Sequence, residues 1–206
     1  MPRPPILFAL VALLAVHSPA TAQSCPVADA VLGPSKSRGD LKSTYDKFAD
    51  TTTLETKMQS YNIKDSQAWI GASFVVKHVG AAPAPMTTQL HLIGAYWWDH
   101  GVPVQIPAIF SDSAAVTVLA DSAKFVLRGA SHTAPKTKTL VTSWEDMWIG
   151  ITPEQLAELA RAHAGGMRLV DKGVTYDMQL KGNLTEAAAA AYRTAVCAPS
   201  IATAAR

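Results

Sequence analysis

Gln89-Leu90-His91-Leu92-Ile93-Gly94-Ala95-Tyr96-Trp97-Trp98 decides the fold class, because its side chains alternate with period two. Leu90, Leu92, Tyr96 and Trp98 share one face, and Gln89, His91, Ala95 and Trp97 point the other way, the pattern of a β-strand with one buried side. Upstream, Ala68, Ile70, Ala72, Phe74 and Val76 repeat the pattern against Gln67, Ser73 and Lys77. Gly80-Ala81-Ala82-Pro83-Ala84-Pro85 separates the two strands and cannot join a ladder easily.

Working outward, Ala115–Leu119 and Lys124–Arg128 flank Ala120-Asp121-Ser122-Ala123 as a hairpin. Thr139–Ile151 reads as one long strand, with Leu140, Thr142, Trp144 and Trp148 on one side and Val141, Ser143, Glu145, Met147, Ile149 and Ile151 on the other. Gly101, Pro103 and Pro107 limit any strand in residues 101–110 to a short or edge one. A Thr-rich strand is expected over residues 51–58. Thr152-Pro153-Glu154-Gln155 predicts a helix start: an N-cap threonine, proline at the first helical position, and glutamine placed for a capping box. Leu156, Leu159 and Ala160 supply its apolar stripe, and Gly165-Gly166 is expected to end it. Met167–Val170 and Val174–Leu180 form a second hairpin turning at Asp171-Lys172-Gly173. Asn183 and Glu186 are expected to cap a closing helix over Leu184–Cys197, whose five consecutive alanines favour helix.

These readings predict an α+β, mainly β domain: an antiparallel sandwich or half-barrel with two C-terminal helices against it. The 206 residues, 49% hydrophobic and 17% charged, are those of a folded globular chain, and a formal charge of +2 without a Lys/Arg cluster gives nucleic acid no electrostatic footprint. One domain is expected over residues 44–198, with a lead-in at 23–43 and a tail at 199–206. Residues 26–40 read as irregular. Asp40 is expected to cap a short helical turn over Leu41–Phe48.

Residues 1–22 have the form of a secretory signal peptide. Arg3 is followed by an apolar run, Ile6–Val16, of roughly 11 residues, and then by an Ala20-Thr21-Ala22 cleavage site. That run is shorter than the ~20 residues a spanning helix needs, and no transmembrane segment is expected after cleavage. The destination is the periplasm or the extracellular space. Cys25 and Cys197 are the only cysteines, and in an oxidising compartment they pair with each other. The alternative fate of Cys25 is lipidation, although Ala22-Gln23-Ser24 lacks the large aliphatic residue usually found three positions before a lipidated cysteine.

Asp46-Lys47-Phe48 followed by Asp50-Thr51-Thr52-Thr53, with Gly150-Ile151-Thr152-Pro153-Glu154-Gln155-Leu156 before a small-residue helix, resembles a group of uncharacterised bacterial exported proteins. The resemblance spans roughly residues 44–196. It implies a mainly β domain in the cell envelope, periplasmic or otherwise, and brings no catalytic residues with it.

Motifs for chemistry are few. His78, His91, His100, His132 and His163 show no tight metal-ligand spacing, and Gly71-Ala72-Ser73 lacks the closing glycine of a nucleophile elbow. Glu145 and Asp146 are adjacent carboxylates that diverge on a strand. Dinucleotide and phosphate-loop fingerprints are absent, so no cofactor, metal or catalytic residue is assigned. The expected function is noncatalytic binding of an envelope protein or a small ligand, at a surface of Trp97, His91 and Gln89. The alternative is a hydrolase or metal-dependent enzyme with a polar site built from His91, Asp99 and His100.

Overall fold

The computed structural model describes residues 25–33, 41–62, 68–79, 87–97, 110–111, 113–128, 131–133, 136–139, 142–171, 174–180 and 182–197. The signal peptide expected at 1–22, the tail expected at 199–206, and Trp98, Asp99 and His100 lie outside the described residues.

Among the described residues, two antiparallel sheets and three helices enclose one core, the mainly β, α+β architecture expected. The larger sheet contains β1 (Leu41–Asp46), β2 (Thr51–Thr56), β3 (Gln59–Asn62), β4 (Ala68–Val79), β5 (Thr87–Trp97), β8 (Ser131–His132), β9 (Lys136–Thr139) and β10 (Thr142–Gly150). Its order is β1-β2-β4-β5-β10-β8, with β3 continuing alongside β4 and β9 alongside β10. The smaller sheet runs β12 (Val174–Gln179), β11 (Gly165–Asp171), β6 (Ala115–Ala120) and β7 (Ala123–Leu127). The core-facing side of the large sheet carries Leu54, Ile70, Phe74, Val76, Leu90, Leu92, Met147 and Ile149, and the small sheet adds Val116, Val118, Met167, Leu169 and Met178.

A bulge shapes the large sheet. Glu55 pairs with Val75, and Gln59 pairs with Ala72, so the three residues 56–58 oppose only the two residues 73–74. The extra residue breaks the ladder, and Thr56 Oγ1 compensates by accepting the Phe74 N–H at 2.9 Å. The bulge also shifts the alternation. Glu55 points away from the core, whereas Tyr61, an even number of residues later, points into it and is buried.

α2 (Pro153–Arg161) starts at the predicted capping box: the Gln155 N–H donates to Thr152 Oγ1, and Gln155 Oε1 accepts the Thr152 N–H. α3 (Gly182–Cys197) lays Ala187, Ala188, Ala190 and Ala191 into the core, where the small side chains let it approach β4 closely. Among the described residues no helix is long and apolar enough to cross a membrane.

Cys25 and Cys197 form the expected disulfide, with Cα atoms 5.9 Å apart. It ties α1 (Pro26–Leu32) to the end of α3. Arg193 reinforces the join, donating to Asp29 Oδ1 and to the Gly33 carbonyl, both at 2.5 Å. The lead-in is therefore helical at its start, where irregular chain was expected. Its proline sits at the first helical position, and the bridge docks Ala28 into the core.

Other local expectations give way to longer-range contacts. Leu41–Asp46 is a strand rather than a helical turn, because it pairs along its whole length with Thr51–Thr56. Asp46 Oδ1 orders the tip of that hairpin by accepting the Phe48 and Ala49 N–H groups. The strand expected over Thr139–Ile151 is β10, Thr142–Gly150, while Thr139 ends β9, which pairs back on β10. Gly165-Gly166 does not stop α2. The helix ends at Ala162, and Gly165 opens β11 at φ +144°, where a Cβ would lie 2.0 Å from the Leu119 carbonyl oxygen. Asn183 is not a cap but an exposed residue in the first turn of α3.

Candidate functional site

The face of the large sheet turned away from the core is best described as rows running across β4, β5 and β10. One row is Ser73–His91–Trp148, and the next is Gly71–Ile93–Asp146. The third is Trp69–Ala95–Trp144, and Trp97 follows beyond Ala95 on β5. On the other side of the first row lie Val75, Gln89 and Gly150, with Glu55 of β2 across from Val75. The predicted binding residues Trp97, His91 and Gln89 thus share one face. Four of the five tryptophans of the chain are also on it, each half-buried.

Small residues make room for the large ones. Ala95 is flanked by Trp69 and Trp144, whose rings meet edge to face over it with centroids 5.2 Å apart. Gly71 leaves space for Met58 Sδ and the Trp69 ring, both of which would lie within 3 Å of a Cβ there.

His91 is the polar centre. Its Nδ1 is 3.0 Å from Glu55 Oε1, its Nε2 is 3.0 Å from Asp146 Oδ1, and its ring stacks on Trp148 with centroids 5.1 Å apart. Ser73 Oγ donates to Glu55 Oε1 at 2.7 Å and lies 3.5 Å from His91 Nδ1. Burial is the largest single influence on His91 and disfavours its charge. The hydrogen bonds and charges of Glu55 and Asp146 together outweigh it and raise the imidazole pKa above its ordinary value. Glu55 is held below its ordinary value, chiefly by the His91 hydrogen bond, with Ser73 and Lys42 contributing and burial opposing. The upward shift favours the imidazolium, the form in which both ring nitrogens donate to the flanking carboxylates.

This arrangement has the residue types of an acid–base catalyst without the connectivity. Ser73 is fully buried and gives its proton to a carboxylate that is already held by the histidine. In its protonated form the His91 ring has no lone pair with which to activate a nucleophile or bind a metal. Among the described residues no group of three or more histidine, cysteine, aspartate or glutamate side chains is arranged to hold a metal ion. Asp99 and His100, the proposed companions of His91, lie outside the described residues.

Glu145 and Asp146 diverge as expected. Asp146 joins His91 on the outer face, while Glu145 is buried on the inner one, its Oε2 accepting the Phe110 N–H at 3.2 Å. Nearby, Ser111 Oγ donates to the buried Asp171. Burial, followed by the charges of Asp171 and Glu145, raises the Tyr176 phenol pKa. This second polar group links the two sheets internally.

The sequence named His91, Gln89 and Trp97 as a candidate surface, and the structure places Glu55, Asp146 and Trp148 on the same face. Asp146 and Trp148 carried a usable signal, since they stand two residues apart and so share a strand face. Glu55 carried none, because only the bulge and the β2–β4 register aim it at His91. No family model matches this chain, and no curated protein is similar to it.

Proposed function

We propose that this protein is exported to the cell envelope and binds a partner or small ligand, without catalysis, on the outer face of its large sheet. The observation that carries the reading is the presence of Trp69, Trp97, Trp144 and Trp148, all half-buried, on the same sheet face as the ion-paired His91, whose ring stacks on Trp148. Indoles are highly buried on average, and clustered, partly exposed ones are the side chains most enriched where binding energy concentrates. Export is supported by the leader at residues 1–22 and by the Cys25–Cys197 disulfide, which fits an oxidising compartment.

Hydroxyl-radical footprinting of the protein in its host envelope, compared with the purified protein, tests the binding site. Occupancy protects Trp144 and Trp148 from oxidation in the envelope and leaves the exposed Phe48 equally reactive in both samples. Equal oxidation of the indoles in both samples refutes the reading. Intact mass tests export: a chain beginning at or near Gln23 is expected, and one retaining residues 1–22 argues against it.

A further inference from the structure

We infer that the ligand of this face is a neutral, polyhydroxylated glycan strand lying along β10 across Trp144, Asp146 and Trp148. The inference rests on the binding reading above and narrows it to one chemical class.

The geometry of β10 comes first. Trp144, Asp146 and Trp148 alternate with core-facing residues, so an aromatic, a carboxylate and an aromatic stand in line on the outer face. At ~3.4 Å per residue the two indoles are ~13 Å apart along the strand. An extended ligand reaches both, and the carboxylate between them meets its middle. On the β8 side the residue opposite Trp148 is the small, exposed Ser131, and on the β9 side Lys136 is paired with Trp144.

The polar groups come second. Glu55 and Asp146 each give one oxygen to His91, and their side chains are 31% and 36% exposed, leaving oxygens that can still accept. Gln89 Oε1, on the same face, is buried without a hydrogen-bond partner. Gly150, across from it, has open space where a side chain would stand. The partly exposed carboxylates of Glu55 and Asp146, rather than the buried Gln89 amide, are the acceptors set beside apolar rings. A sugar ring answers both at once, its hydroxyls donating and its C–H face lying on an indole.

Charge excludes the competing ligands. Glu55 and Asp146 are balanced by the His91 imidazolium and by Lys42, which pairs across from Glu55 on β1, and Lys77 lies one row beyond Val75. The two signs are interleaved along this face, so no patch of one sign forms to select a strongly charged ligand. A lipid chain would strip water from two carboxylates and return nothing. An extended peptide finds its backbone partners at a sheet edge, not on a face.

The test uses the exported chain with its disulfide intact and three probes: maltotetraose, cellotetraose and tetra-N-acetylchitotetraose. Indole N–H resonances are followed by NMR up to about 10 mM, which detects dissociation constants near 1 mM. At least one probe is expected to shift the Trp144 and Trp148 signals saturably, with an affinity unchanged between low and high salt. Trp148→Ala is expected to weaken binding about tenfold or more, the effect of removing an aromatic anchor. Should that variant fail to fold, Trp148→Phe, which keeps a ring over His91, is expected to weaken it a few-fold. No saturable shift with any probe overturns the glycan assignment, as does tight, salt-sensitive binding of a charged peptide at these indoles. If envelope footprinting still shows Trp144 and Trp148 protected, the binding face stands and only the ligand class falls; if protection is also absent, both fall.

Discussion

Replacing Asp146 with asparagine keeps the shape of the His91 site and removes one of the two charges that hold the imidazolium. The sign of the effect follows from the shifts. His91 has a folded pKa above its ordinary 6.5, so its contribution to stability is fully present below about pH 6.5 and is lost as pH rises through the folded value. Glu55 is shifted downward, so its contribution is present above about pH 4.5 and is lost as pH falls through its folded value. The network therefore stabilises most between those limits. A hydrogen bond to a charged group contributes about 1.5–3 kcal/mol. Asp146 is 36% exposed, so water screens part of that, and an asparagine oxygen still accepts from the ring. The expected cost of Asp146→Asn is about 1 kcal/mol near pH 6, shrinking toward zero as pH rises through the folded His91 pKa. Urea midpoints across that range measure the cost, and the His91 Cε1–H resonance reports the pKa directly, which is expected to fall in the variant. A wild-type His91 pKa at or below 6.5, or a cost independent of pH, refutes the account of an imidazolium held by two carboxylates.

Three further outcomes test the scaffold. Cys25→Ser with Cys197→Ser opens a loop 172 residues long and is expected to cost 2–5 kcal/mol by thermal or denaturant unfolding; a loss below about 1 kcal/mol would show that Arg193 and Ala28 dock α1 unaided. Thr152→Ala removes the capping-box acceptor of α2 and is expected to lower stability by about 1 kcal/mol with an unchanged denaturant slope. Gly165→Ala sets a Cβ against the Leu119 carbonyl in a conformation that L side chains rarely adopt, and a loss of about 3 kcal/mol or more is expected; an unchanged midpoint would contradict that backbone geometry.

What could be read in advance was what the chain encodes locally. The alternation in β4 and β5 assigned each residue to its face, and Thr152 to Gln155 declared the start of α2 because a capping box is complete within four residues. The two cysteines could be paired because no other thiol competes. Where meaning depended on a distant partner, local reading erred. Leu41–Asp46 has no alternation of its own and is a strand because Thr51–Thr56 lies beside it. Gly165 looked like a helix stop, yet its glycine is required by the Leu119 carbonyl, 46 residues upstream and brought close by the β6–β11 ladder. The site divides in the same way. His91 and Trp97 were visible as the polar face of one strand, but Glu55 reaches His91 only through a one-residue bulge and a register that no local pattern announces.

The placement of the His91 network bears on why it is there. Pairing buried charges is weak support for a fold, because the cost of desolvating them consumes most of their attraction, and well-packed apolar residues often do as well or better. This sheet already has such a core on its other face, where Phe74, Leu90, Leu92, Met147 and Ile149 are buried. On the outer face, Ser73, Glu55, His91 and Asp146 occupy positions where valine or threonine would suit a strand and cost less. The network instead ties two carboxylates and an indole to one imidazole across β2, β4, β5 and β10, with one oxygen of each carboxylate held by the ring. Rigid acceptors beside rigid rings are poor value for stability and good value for recognition, since side chains ordered before binding do not lose that freedom on binding. That asymmetry between the two faces of a single sheet is the physical argument for assigning the binding function to the outer one.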